Sequence, residues 1–285
     1  MIYPDFEVAF SAARLNKYRK VCNGNHNKAL TLYRHNVKLC QKFYSVLNVF
    51  EIVLRNAVNN HYTIVFNDTD WIFHQLQAGG MLEHCPQQKD VLQNINETVS
   101  NNKYTPDKVV SSVSFGFWTY MFNKVPFRLG SQTLLQIFPN RQTGLGQKAI
   151  YKELQQIKQF RNRIAHHEPI CFDATGRKSM VYVQTNYALI LKYISFLGYN
   201  KNELFFGLDV MPDIVMNKIT KLKSYSPLFA LCRFGCVSSV SFDVSSEASE
   251  IGDSETVCGI STSTRRKMSS LSLGRASSCH LKPGR

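Results

Sequence analysis

Acidic residues are scarce in this chain. Twenty Asp and Glu face 34 Lys and Arg in 285 residues, a formal net charge of +14 and a pI near 9.4. The long-range field therefore favours anionic partners, nucleic acid first. Charge of either sign is also sparse, at 19% against 44% apolar residues. That balance excludes a wholly disordered chain and suffices for one large core or two modest ones. No uncharged apolar run approaches the roughly 20 residues that cross a bilayer, so no membrane partner is expected. The first fifteen residues carry Asp5 and Glu7 and lack a basic start followed by an apolar run, which is not the pattern of a secretory signal. A cytoplasmic location is expected on that ground, where the eight cysteines fit reduced thiols better than a disulfide scaffold.

Proline and glycine are missing from Asn27 to Phe66, so nothing in that span forces a helix to break. Leu30, Tyr33, Val37, Cys40, Tyr44, Leu47, Phe50, Leu54, Val58 and Val65 recur there at steps mostly of three and four, predicting one long helix or two nearly collinear ones. The same pattern predicts helices over Gln87 to Ser100, Asp107 to Asn123 and Gly146 to His167, the last burying Ile150, Leu154, Ile157, Phe160 and Ile164. A fifth helix is expected over Asn186 to Leu197, capped by Gly198. A last one starts at Pro212. Pro126 and Pro139 mark boundaries, and Val181 to Val183 reads as a short strand. Gly144 to Lys148 faintly resembles a phosphate loop but lacks its spacing and its Ser or Thr, so a turn into the fourth helix is the better reading. The fold class is all-α.

Sixteen Ser fall in the 62 residues from Ser224 onward, against nine in the 223 before them. Residues 1–223 are accordingly read as the helical domain and 224–285 as a low-complexity tail outside the fold. The tail has a net charge of +2, so +12 belongs to the first 223 residues. Its cysteines, Cys232, Cys236, Cys258 and Cys279, match no common zinc spacing, and neither a metal nor another cofactor is expected.

One short stretch combines residue types that RNA cleavage needs. The fourth helix ends Phe160, Arg161, Asn162, Arg163, Ile164, Ala165, His166, His167, Glu168, Pro169. At 100° per residue Asn162 and His166 share a face, while Arg161 lies about 140° from His166 and must reach with its long side chain. A His moves protons near neutral pH, an Arg stabilises charge on a phosphorane, an Asn orients ring or phosphate, and the 2′-hydroxyl of RNA is a built-in nucleophile. A His in a last turn also serves simply to meet orphan carbonyls, and His167 is chemically as suitable as His166. Glu51 and Arg55, four apart, suit either a helix ion pair or support of a cleft. Phe115, Phe117 and Trp118 suit core packing better than base stacking, with Gly116 allowing a close helix contact.

The string from Phe160 to Pro169 resembles the signature of the Abi-like (abortive infection) branch of the HEPN superfamily, of the AbiD/AbiF type: Arg, a polar residue, then His after a gap of four to six. Here the gap from Arg161 to His166 is four. Phe50 to Asn56 and Ser114 to Trp118 resemble the same branch, in family order, over roughly residues 27 to 223. The resemblance implies a HEPN-like helical bundle and a metal-independent endoribonuclease, with Arg161, Asn162 and His166 catalytic and Glu51, Arg55 and His167 as cleft support. It also implies a homodimer that joins two motifs in one cleft, and a role in phage defence or as the toxin of a toxin-antitoxin pair. RNA would be the substrate, and a small non-coding RNA the restraint. The alternative is an RNA-binding HEPN module that holds a structured RNA and cleaves nothing.

Overall fold

A computed structural model describes residues 2–206 together with Leu208, Ile219 and Lys221. The helix expected from Pro212, the boundary at 223 and the Ser-rich tail lie outside the described residues. Within them the chain is helical, with eleven α-helices, one 3₁₀ turn at Leu134–Ile137 and no strand.

The axis of the fold is α3, His26–Phe66, after two short helices, α1 (Tyr3–Phe10) and α2 (Ala12–Val21), that the periodicity does not reveal. Its 41 residues span about 60 Å. Asn25 caps its start, the side-chain oxygen accepting from the Lys28 amide at 2.9 Å. One face buries Leu32, Leu39, Phe43, Val46, Phe50, Leu54, Val58 and Tyr62. From Leu47 to Val58 this is the expected stripe. Val37, Tyr44 and Val65 instead face outward, 47%, 59% and 36% exposed. The helix carries apolar residues on two faces, and period alone does not say which one finds a partner.

After α4 (Trp71–Gln75) and α5 (Gln88–Ser100), the expected Asp107–Asn123 helix is two: α6, Pro106–Ser112, and α7, Phe115–Tyr120. Val113 and Ser114 are extended between them, with ψ of 143° and 160°. The break has a packing cause. Phe115, Phe117 and Trp118 point in different directions around a helix, so burying all three, each 2% exposed or less, needs a short segment surrounded by other elements. These rings are core, as read. Gly116 does not mark a close approach, because a Cβ there meets Ser114 Oγ at 3.4 Å and otherwise ordinary neighbours.

Pro126 occupies the first turn of α8, Lys124–Leu129. Gly144, with φ +84°, and Gly146, the N-cap, form the turn into α9, Gln147–Ala165. This helix buries the five apolar residues the sequence assigns to it and lies on α3, where Phe160 meets Phe43 edge-on at 5.2 Å. The next element, α10, covers Val181–Phe196, so the strand at Val181 to Val183 is overturned. Val183, Asn186, Ile190, Tyr193 and Ile194 are one buried helical face, and that burial overrides the β preference of two valines. Gly198, φ +88°, closes the helix in a Schellman turn, with the Tyr199 amide on the Ile194 carbonyl and its own on that of Ser195. A single turn, α11 (Lys201–Leu204), follows. No described helix is long and apolar enough to cross a membrane.

Candidate active site

A groove of about 260 Å³ runs between the middle of α3 and the end of α9. Tyr44, Leu47, Asn48, Glu51, Ile52 and Arg55 line it from α3, and Arg161, Ile164 and Ala165 from α9. Glu51 Oε2 stands 3.6 Å from Arg161 Nε, an ion pair rather than a short hydrogen bond. Arg55 donates from Nε to Asn56 Oδ1 at 3.3 Å. Glu51 thus reaches across the groove to Arg161, while Arg55 lines the groove and bonds to its neighbour Asn56. Two guanidiniums against one carboxylate leave the groove a surplus cation. Asn48 is a groove residue that the sequence reading missed; the only signal was a polar residue three positions before Glu51.

Burial pushes the Glu51 carboxyl above its ordinary range, while Arg161 and then Arg55 draw it back without cancelling the shift. A carboxyl raised by folding takes up protons on folding, so the fold loses stability as pH rises from the usual carboxylate range, about pH 4, through the raised value. Glu51→Gln removes that loss. The thermal midpoint of the variant, minus that of wild type, should grow in its favour between about pH 4 and pH 7.5. A difference independent of pH would rule out this description of Glu51.

The imidazoles stand apart from the groove. Arg161 precedes His166 by about 7.5 Å of helix rise, and neither His166 nor Asn162 lines the groove. Both are exposed. His166 is the C-cap of α9, its amide on the Asn162 carbonyl at 2.8 Å. Next comes His167 with φ +56°, its amide on the Ile164 carbonyl, and then Glu168, its amide on the Arg163 carbonyl. This is a Schellman turn with a His where Gly or Asn is usual.

Three anchors hold that turn. Arg14 of α2 donates to the His167 carbonyl at 2.9 Å, and Arg163 to the Pro169 carbonyl at 2.7 Å. Arg163 also pairs with Glu168 at 3.3 Å and lies over the Tyr182 ring. From α3 the buried Asn36 accepts from the Ile170 amide at 3.0 Å, and its loss would strand that amide at about 1–3 kcal/mol. The backbone carrying His166 is therefore fixed before any ligand arrives.

The same geometry separates the two histidines. His167 lines a different cavity, with Phe10, Arg14, Tyr33 and Cys40. Its left-handed backbone costs a side-chain-bearing residue about 1–2 kcal/mol that glycine avoids. His167→Gly should raise stability by about 0.5–1 kcal/mol in chemical denaturation, the gain reduced by the freedom glycine has in the unfolded chain. A loss of stability would show that the ring holds the turn.

Among the described residues no group of three or more His, Cys, Asp or Glu is placed to hold a metal ion. Cys22, Cys40, Cys85 and Cys171 are free thiols.

An all-α fold with a cationic groove beside an Arg, Asn and His helix end is the class of protein defined so far. The model of the Abi-like protein family matches residues 4–171, more than half of the chain. The chain belongs to the Abi-like family, which ties it to abortive infection, a defence against phage. The match takes in α1 and α2, outside the span carrying the three motifs, and ends just beyond the turn after α9. No curated protein and no solved structure matches the chain.

Proposed function

We propose that this protein is a metal-independent endoribonuclease of the HEPN type, acting in abortive infection or as the toxin of a toxin-antitoxin pair. The observation that carries the reading is the Glu51 and Arg161 pair, which presents a guanidinium in a net cationic groove one and a half turns from the His166 helix end. Arg161 stabilises charge on the phosphorane, His166 takes or returns the proton, and Asn162 orients the phosphate. The 2′-oxygen bonds to phosphorus as the bond to the 5′-oxygen breaks. The 2′-hydroxyl proton is removed and one is delivered to the leaving oxygen, giving a 2′,3′-cyclic phosphate and a 5′-hydroxyl.

The site in one chain is divided, with Arg161 inside the groove and His166 outside its lining. A homodimer resolves the division by bringing the helix end of one copy to the groove of the other. Val37, Tyr44, Asn48, Glu51, Ile52 and Arg55 lie within an arc of about 100° on α3. Val37, Tyr44 and Ile52, 47%, 59% and 41% exposed, supply the apolar surface such a pairing buries. The second reading, an RNA-binding module without cleavage, draws on the same division, since a lone copy presents cations without a histidine in the groove. The charge of +12 on residues 1–223 suits RNA as substrate or as a restraining small RNA.

The test is end-group analysis of RNA treated with the purified full chain in excess chelator, beside its mass in solution. Cyclic phosphate and 5′-hydroxyl ends from a dimer are expected. Fragments with 5′-phosphates made only with magnesium would overturn the mechanism, and a dimer that binds RNA without cutting it would establish the module.

A further inference from the structure

A second cationic cleft lies on the other side of the anchored turn. It encloses about 780 Å³ between the second half of α2 and the loop that follows the turn. Lys17 and Lys20 of α2 line one wall, Arg177 and Lys178 the other, and Arg163 joins them from α9. Asp173 is the one acid in this lining.

That acid is committed to holding the loop. Asp173 Oδ1 accepts from the Thr175 amide at 2.9 Å, the Thr175 hydroxyl at 2.7 Å and the Arg177 amide at 2.9 Å. The Asp173 amide donates back to the Arg177 carbonyl, and Phe172 and Lys178 form an antiparallel bridge. These bonds hold its carboxyl below the usual range, so it stays an acceptor for the loop. The loop is thus built in the shape that presents Arg177 and Lys178 toward α2. Its aromatic lining residue, Phe172, is 4% exposed and offers no face on which a base could stack. Cations without stacking platforms suit phosphates and leave base identity unread.

The geometry points to this cleft as a sequence-tolerant binding site for the phosphodiester backbone of RNA, separate from the groove of Arg161. The inference rests on the reading of the protein as an RNA-acting one and adds the path of the strand. Arg163 and Pro169 belong both to the cleft and to the turn that carries His166, so a strand held between α2 and the loop is led to the helix end.

Binding is measured by fluorescence polarisation with the full chain and a labelled RNA of about 20 nucleotides, 2′-O-methylated so that no internal nucleophile exists. Cleavage of the unmodified RNA is followed in parallel. Lys17→Ala, Lys20→Ala and Arg177→Ala are combined in one variant. The exposed Lys89, Lys103 and Lys108 are changed to Ala in a control that loses the same charge. Thermal melts check that both fold.

The cleft variant should bind about 10–100-fold more weakly at 0.1 M salt. Its plot of log affinity against log salt should be shallower by about 2–3, as for three lost phosphate contacts, with the control close to wild type. The same loss for RNAs of different sequence supports a backbone site. Equal losses in both variants overturn the cleft and leave the nuclease reading untouched, because only the general field then matters. Displacement of the RNA by micromolar adenosine monophosphate also overturns it, in favour of a mononucleotide pocket. The expected cleft loss without any cleavage supports the cleft and removes the nuclease. Failure of wild type to bind RNA even at low salt overturns both.

Discussion

His166→Ala should lower the rate of RNA cleavage by about 10²–10⁴-fold, the usual contribution of a positioned general acid or base. Binding of 2′-O-methylated RNA should stay within about twofold, because the substitution leaves the cations of the groove and of the cleft in place. Stability should also change little. His166 is a C-cap whose contribution to the turn is its backbone amide, and Ala supplies the same amide. Arg161→Ala makes a contrasting companion. It removes the guanidinium and leaves the raised Glu51 carboxyl with Arg55 as its remaining cation in the groove, so binding and rate should fall together. Arg161→Lys should recover part of the binding and little of the rate, since an ammonium lacks the planar fork that meets two phosphate oxygens. Equal cleavage by wild type and His166→Ala would remove His166 from the mechanism.

Phe160→Ala should cost about 3–5 kcal/mol, read from the midpoint and slope of urea unfolding. Phe160 is fully buried and meets both Phe43 of α3 and Tyr182 of α10 edge-on, at 5.2 and 5.6 Å. It is thus the residue that seats the end of α9 on its two neighbours. Its loss opens a cavity between α9, α3 and α10, at the position preceding Arg161 in the chain. The effect should reach the site even in molecules that remain folded, because the 3.6 Å Glu51 to Arg161 pair depends on how closely α9 lies on α3. A cost under about 1 kcal/mol would mean that the surroundings close over the gap.

The helices that carry the site are legible in the sequence because their apolar residues recur cleanly: the centre of α3 from Leu47 to Val58, and α9 from Ile150 to Ile164. Where the reading departs from the fold, a tertiary partner decides. Val37 and Tyr44 are as apolar as Leu39 and Phe43, and only the elements packed on α3 select the second pair for burial. Val181 to Val183 has the residues of a strand, yet Val183 joins Asn186 and Ile190 at helical spacing. The apolar period across residues 107–123 made α6 and α7 look continuous, although burying Phe115, Phe117 and Trp118 together requires the break.

The site divides along the same line. The residue types at Arg161, Asn162 and His166 are visible in one short string. The choice of Arg161 over Arg55 as the ion-pair partner of Glu51 crosses 110 positions, and no local rule reaches that far. The basic cleft is further still from view, since Lys17 and Lys20 lie some 160 positions before Arg177 and Lys178 and no local pattern joins the two pairs.

On the proposed nuclease reading, the separation between Glu51 and Arg161 also bears on when the growing chain can first act. A ribosome adding roughly 5–20 residues per second needs about 5–20 s to travel from one to the other. Throughout that interval the nascent chain holds one wall of the groove and no cation from α9 to complete it. The turn after α9 needs Ile170 as well, whose amide is the donor that Asn36 awaits. A message cut or degraded before that point yields a fragment with neither the paired guanidinium nor the pinned helix end. On that reading premature termination yields inactive pieces, and the site is complete only after about three-fifths of the chain has been made.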